Sequence, residues 1–246
     1  MLPFFYFYLE YKSSEMNIQH YTEEQIQSVQ AAFMSKVYSW MSGGLAITGL
    51  IAMWVASTPA ILEAIIGNQF VFFGLIIGEI LLVGYLVSVI KRISAQTAGL
   101  IFTLYAILNG LTLSVVFIVY TSSSIASTFF VTAGTFGIMS FYGYYTKKDL
   151  SSWGNLLFMA FIGLIIASIT NFFINSTMLY WLISYAGVLI FVGLTAYDTQ
   201  KIKNMSGVEA VGSEGEAKGA IVGALTLYLD FINLFLFLLR ILGDRR

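Results

Sequence analysis

The 246-residue chain has no cysteine, a single histidine and only two prolines, Pro3 and Pro59. The missing cysteines exclude disulfides and thiol chemistry. His20, alone in a polar N-terminal segment, leaves no ligand set for a histidine or cysteine transition-metal site. Charge is the larger shortage. Asp, Glu, Lys and Arg make up 10% of the residues, where a soluble domain carries about 25%. So little charge cannot cover a water-facing surface, so most of the surface must face lipid. The net charge of −1 and the pI near 5.8 exclude a basic footprint for nucleic acid.

What is present is apolar: 58% of the residues are hydrophobic and the mean hydropathy is +0.83. A membrane-crossing helix needs about 20 apolar residues. Seven stretches qualify, at roughly 37–56, 70–90, 98–120, 125–146, 154–174, 178–198 and 220–242. The expected fold is therefore an all-α polytopic membrane protein with seven transmembrane helices. It reads as one domain over 37–246, preceded by a polar segment, 1–36. The opening "MLPFFYFYLEYKSS" is too short to cross and lacks the basic start and cleavage site of a signal peptide. Met16 opens an ordinary polar leader, so residues 1–15 are expected to be a false start, with an interfacial anchor as the alternative. Small residues such as Gly74, Gly78 and Gly84, or Ala133, Gly134 and Gly137, are expected to serve helix packing.

Basic residues orient the spans. Lys36, Lys91, Arg92, Lys147, Lys148, Lys201, Lys203 and Lys218 all fall at alternate connections, and the loops "STPAILEAIIGNQ", "TSSS" and "NST" carry none. The N-terminus is thus expected in the cytoplasm. Seven crossings put the C-terminus outside, although it reads "RILGDRR". A full seventh crossing is the favoured reading because the run is long enough, and a re-entrant seventh helix is the alternative.

Four ionisable residues lie within or at the edges of spans: Glu79, Asp198, Asp230 and Arg240. A charge at a helix centre costs about 2.5–3.5 kcal/mol on the insertion scale, so it usually faces the bundle interior beside a partner. Arg240, long and near a helix end, is explained by snorkelling. Glu79 either packs against a polar neighbour or lines a cavity. Thr226, Asp230 and Asn233 fall at i−4, i and i+3, one polar stripe on an otherwise apolar helix. Such a stripe implies a helix surrounded by others. Asp198 ends the sixth stretch, about 5 Å inside Lys201 at 1.5 Å per residue. Asp230 comes to about 9 Å deep only if its span starts near Ala224. A meeting of the two acids is then feasible.

Three stretches carry a family resemblance: "YGYYTKKDLSSWGNLLFMA" at 142–160, "VGLTAYDTQKIKNM" at 192–205 and "GALTLYLDFINLFLFLLR" at 223–240. In this order they resemble the Bax inhibitor-1, or transmembrane Bax inhibitor motif, family and its bacterial, YbhL-like branch, from about Tyr38 to the C-terminus. The resemblance implies a seven-helix bundle with the seventh helix central and wrapped by the other six. It implies that Asp198 and Asp230 form a hydrogen-bonded pair on the cytoplasmic side of a pore. A basic latch is implied at the end of the second helix, Arg92 by position with Lys91 as alternate. The implied activity is a pH-sensitive calcium leak, accompanied in eukaryotic relatives by suppression of cell death. Calcium would be the permeant ion, held transiently by Asp198 and Asp230, with Asn233, Thr226 and Glu79 as possible pore-lining residues and no tightly bound cofactor. The implied location is a bacterial inner membrane, the partners lipid, calcium ions and other membrane proteins.

Two carboxylates in contact share a proton and titrate as a coupled pair. A non-conducting scaffold that regulates other membrane proteins or proteases is the alternative. An intramembrane aspartyl protease is a remote one. It also pairs two acids, but in a Gly-x-Gly-Asp setting that "LYLD" lacks. The loop "NMSGVEAVGSEGEAKG", with Glu209, Glu214 and Glu216, lacks the alternating acids of an EF-hand and is expected to be solvated and flexible.

Overall fold

The computed structural model describes residues 22–206 and 212–246. The expected false start over 1–15, His20 and Glu209 lie outside the described residues. Among those described, the secondary structure is helical, without a named strand. The helices are α1 (Glu23–Ala56), α2 (Pro59–Ile66), α3 (Gln69–Val89), α4 (Ala95–Leu113), α5 (Val116–Val119), α6 (Ser122–Tyr145), α7 (Ser151–Ile174), α8 (Thr177–Asn204) and α9 (Glu214–Leu242). Seven helices among the described residues are long and apolar enough to cross a membrane, with α4 and α5 counted as one. The protein is an integral membrane protein.

Polar residues start these apolar helices because the first N–H groups of a helix have no intrahelical acceptor. Thr22 and Gln25 form a capping box at α1, with Glu23 and Glu24 in the first turn. Asn68, Ser94 and Thr121 cap α3, α4 and α6 through their side chains. Between α7 and α8 the chain reverses at Asn175, whose left-handed φ of 53° suits asparagine.

Several helices run past the expected spans. α1 begins at Glu23, so the polar segment before Lys36 enters the same helix as the first span. α8 continues to Asn204, so Asp198 stands inside a helix rather than at its end. α9 begins at Glu214, so Glu214 and Glu216 belong to a helix rather than to a solvated loop. Its 29 residues reach about 43 Å at 1.5 Å per residue, which supports the full crossing over a re-entrant turn. Of the seven spans it is the most enclosed: 61% of its most apolar window is buried, against 6% for α3 and α7.

The chain divides into two compact units, one of residues 22–116 and 202–225, the other of 117–201 and 226–246. In the first, Thr48 Oγ1 donates to Ala106 O at 2.8 Å, and the Trp40 and Phe102 rings meet edge to face, joining α1 to α4. In the second, Phe231 of α9 meets Phe129 and Phe136 of α6 edge to face, and Phe237 stacks on Phe191 of α8. The packing glycines differ from those expected. A Cβ at Gly74, Gly78, Gly84, Gly134 or Gly137 would meet nothing within 4 Å among the described residues, whereas one at Gly143 would strike the Ala196 carbonyl.

Candidate functional site

The second unit brings the two aspartates together. Asp198 on α8 and Asp230 on α9 lie within electrostatic reach of one another. Asp230 is enclosed, 4% exposed, and its Oδ2 has no hydrogen-bond partner among the described residues. Asp198 is only partly buried and feels the positive charge of Lys201, three residues on in the same helix. Asp198 as a residue is the less enclosed of the two, while its carboxyl group, like that of Asp230, is buried.

Contacts on either side of each acid hold α8 and α9 in place. The residues on either side of Asp198 are each held by a different neighbour. Ala196 packs its carbonyl against Gly143 of α6, and the Tyr197 ring lies over Gly154 of α7, where any Cβ would overlap it. Thr199 Oγ1 donates to Ser140 Oγ of α6 at 3.2 Å. Gln200 braces the α6–α7 turn from both sides. Its amide donates to Lys148 O at 2.8 Å, and its oxygen accepts from Leu150 N at 2.9 Å. On α9, Phe231 wedges between Phe129 and Phe136 one residue after Asp230, which fixes that helix's rotation. The three sequence stretches singled out above thus converge on the acid pair.

Of the other candidate residues, Thr226 and Asn233 share α9 with Asp230, both partly buried. Asn233 Nδ2 donates to Leu229 O at 2.8 Å, so its amide is engaged with its own helix. Glu79 lies in the first unit, in a polar cluster of its own. Thr112 Oγ1 donates to Glu79 Oε1 at 2.8 Å and Asn109 Nδ2 to Oε2 at 3.2 Å. Tyr105 stands beside Asn109. The expectation of a polar neighbour for Glu79 is met. Lys91 and Arg92 are exposed in the turn after α3, in the first unit. Among the described residues no group of three or more His, Asp or Glu side chains could hold a metal ion. The aspartate pair offers two carboxylates toward the roughly 6–8 oxygens calcium prefers. Backbone or water oxygens would have to supply most of the rest, which suits passage rather than storage.

The reading of single residues missed the supports. Gly143, Gly154 and Gln200 carry no charge to attract notice, although all three stand in the singled-out stretches. It also missed Glu216, which pairs with Lys36 Nζ at 2.8 Å and accepts from Gly212 N.

A sequence profile described as "Inhibitor of apoptosis-promoting Bax1" matches residues 30–246. The chain is 53% identical over 215 residues to the inner membrane protein YbhL of Escherichia coli K12, covering 87% of this chain and 92% of that protein. It is 44% identical over 224 residues to an uncharacterised protein of Borreliella burgdorferi, covering 91% and 97%. A Rickettsia prowazekii protein, also uncharacterised, is 43% identical over 218 residues, covering 87% and 90%.

Proposed function

The chain belongs to the Bax inhibitor-1 family of membrane proteins, and from that premise we propose that it is a pH-sensitive cation leak, with calcium as the permeant ion, in a bacterial inner membrane. The observation that carries the reading is the pair of acids, Asp198 and Asp230, buried within electrostatic reach of one another on two helices of one unit. Close carboxylates away from bulk water resist simultaneous ionisation, so they hold one proton between them. Loss of that proton leaves two like charges in contact. They must then separate, recruit a basic residue or take up a cation. Each response changes the passage beside α9, and that couples proton concentration to cation flow.

The chemistry favours transport over catalysis. In the Gly-x-Gly-Asp frame the two glycine positions before Asp230 are Leu227, fully buried, and Leu229, where an aspartyl protease needs glycines to admit a substrate backbone.

The test is calcium flux into liposomes holding purified protein, across a pH series, with sodium and proton gradients applied separately. Wild-type protein should leak calcium with a pH-dependent rate, and Asp198→Asn and Asp230→Asn should abolish that dependence. Loss of the basic latch expected at Arg92 or Lys91 should raise the leak at high pH. Unchanged flux and pH profile in both aspartate variants sinks the mechanism. Absent flux with retained capture of other membrane proteins assigns a scaffold instead.

A further inference from the structure

The C-terminus gathers positive charge where the loops have none. The last residues run antiparallel to the turn before α6: Thr121 N donates to Asp244 O, and Arg246 N donates to Val119 O, both at 3.0 Å. Tyr120 and Arg245 form the bridge between these bonds. Arg246 reaches Ser122 Oγ at 3.4 Å. Arg245 Nη2 donates to the Tyr180 hydroxyl at 2.7 Å, and its guanidinium lies 5.7 Å from the centre of that ring. Arg240, in the last turn of α9, lies 5.8 Å from the centre of the same ring and 5.3 Å from that of Phe237. Two guanidinium groups therefore share one tyrosine, and a third follows Arg245 in the same tail, held at Ser122.

All three arginines are exposed, and none forms an ion pair among the described residues. Asp244 and the α-carboxylate of Arg246 offset two of the three arginine charges, which leaves the cluster net positive. Around it stand exposed apolar side chains of adjoining segments: Phe173 and Ile174 at the end of α7, Met178 and Trp181 at the start of α8. Aromatic residues of this kind mark the boundary between hydrocarbon and headgroups. α6 begins at this end and finishes at the other, beside Lys147 and Lys148. The cluster therefore opposes the placement of basic residues in the loops, and like charges gathered there call for an anion.

We propose that Arg240 and Arg245, gathered around Tyr180, together with Arg246 at Ser122, bind the phosphate of an anionic phospholipid headgroup at the membrane surface opposite the basic loops. Guanidinium forks match phosphate oxygens two at a time. The exposed aromatic and aliphatic rim takes the glycerol and upper acyl chains, a fit that free phosphate cannot use. The backbone pairing of the tail to residues 119–121 pre-orders two of the three arginines, so little ordering remains for the lipid to impose.

Native mass spectrometry of the full chain in detergent, titrated with phosphatidylglycerol or phosphatidylcholine, tests this. Phosphatidylglycerol should bind at least tenfold more tightly. Arg245→Gln and Arg246→Gln should each weaken it about fivefold, as expected for one cation at an anionic headgroup. Tyr180→Phe keeps every charge and removes only the hydroxyl that orients Arg245, so a loss of a few-fold there supports the built site even if an arginine variant folds poorly. Lys147→Gln, at the other end of α6, should change nothing. Equal binding of the two lipids overturns the proposal. So does an equal loss in Lys147→Gln, wild-type binding in both arginine variants, or complete displacement by millimolar inorganic phosphate.

Discussion

Asp198 of α8 lies within electrostatic reach of Asp230 of α9, one oxygen of which is enclosed and unpartnered among the described residues. With both carboxylates charged, that arrangement combines like-charge repulsion with an unmet hydrogen-bonding group. Asp230→Asn should therefore raise the unfolding temperature in detergent at pH 8. A relief of about 1 kcal/mol corresponds to roughly 2–4 °C in a chain of this size. As the pH falls a proton returns to the pair, so the two melting curves should converge. A variant less stable than wild type at pH 8 would show that the charged pair holds the unit together.

The contact between Gly154 and Tyr197 has a different sign. A methyl at Gly154 would overlap the phenol ring, and overpacking of this kind costs about 1–3 kcal/mol. Gly154→Ala should lower thermal stability and disturb the pH profile of flux, because Tyr197 precedes Asp198. Adding Tyr197→Leu should restore much of the stability. A double variant no better than the single one would place the damage elsewhere.

Glu79 depends on two neutral donors. Thr112→Val removes the 2.8 Å bond to its Oε1 and leaves Asn109 as the remaining donor seen. The expected loss is about 1–3 kcal/mol, read as a lower melting temperature. Thr112→Val combined with Glu79→Gln should lose less than Thr112→Val alone.

Lys36 and Glu216 form a one-sided ion pair. The lysine is half exposed and the glutamate buried, so solvent screens the lysine's share of the attraction. Glu216 also accepts from Gly212 N. Glu216→Gln should therefore destabilise more than Lys36→Gln, which should stay within about 1 kcal/mol. Chemical denaturation of both variants in one detergent decides the order.

At the start of α7, Asp149 accepts from Ser151 N at 2.8 Å. Hydrogen bonds from Ser151, its side chain first, hold the Asp149 carboxyl below its ordinary value of 3.8. A carboxyl lowered in the folded state stabilises above its unfolded pKa and loses that contribution as the pH falls through the folded one. Hydrogen exchange at the first turn of α7 should accordingly accelerate below about pH 3.8 relative to its neighbours, and Asp149→Ala should remove the difference.

Much of this was legible in the linear chain. Hydropathy and length alone separate seven crossings, because a lipid-facing helix must satisfy its backbone internally and present apolar side chains. The i−4, i, i+3 stripe around Asp230 already marked α9 as enclosed, since a charge facing lipid is too costly to keep. Helix ends were less legible. α8 and α9 run on through Lys201, Lys203, Glu214 and Glu216, and charge marks where a helix leaves lipid, not where it stops.

Tertiary structure alone decided which residues touch. Gly143 and Gly74 are the same residue type in similar apolar runs, yet one is pressed against a carbonyl and the other meets nothing within 4 Å. Helix rotation separates them, and rotation is set by packing partners distant in the chain. The same holds for Arg245, whose place beside Tyr180 follows from the pairing of the tail with residues 119–121. Composition and periodicity determined that this chain crosses a membrane seven times and encloses an acid. Only packing, which depends on shape at every crossing, could bring Asp198 within electrostatic reach of Asp230 and two arginines to one ring.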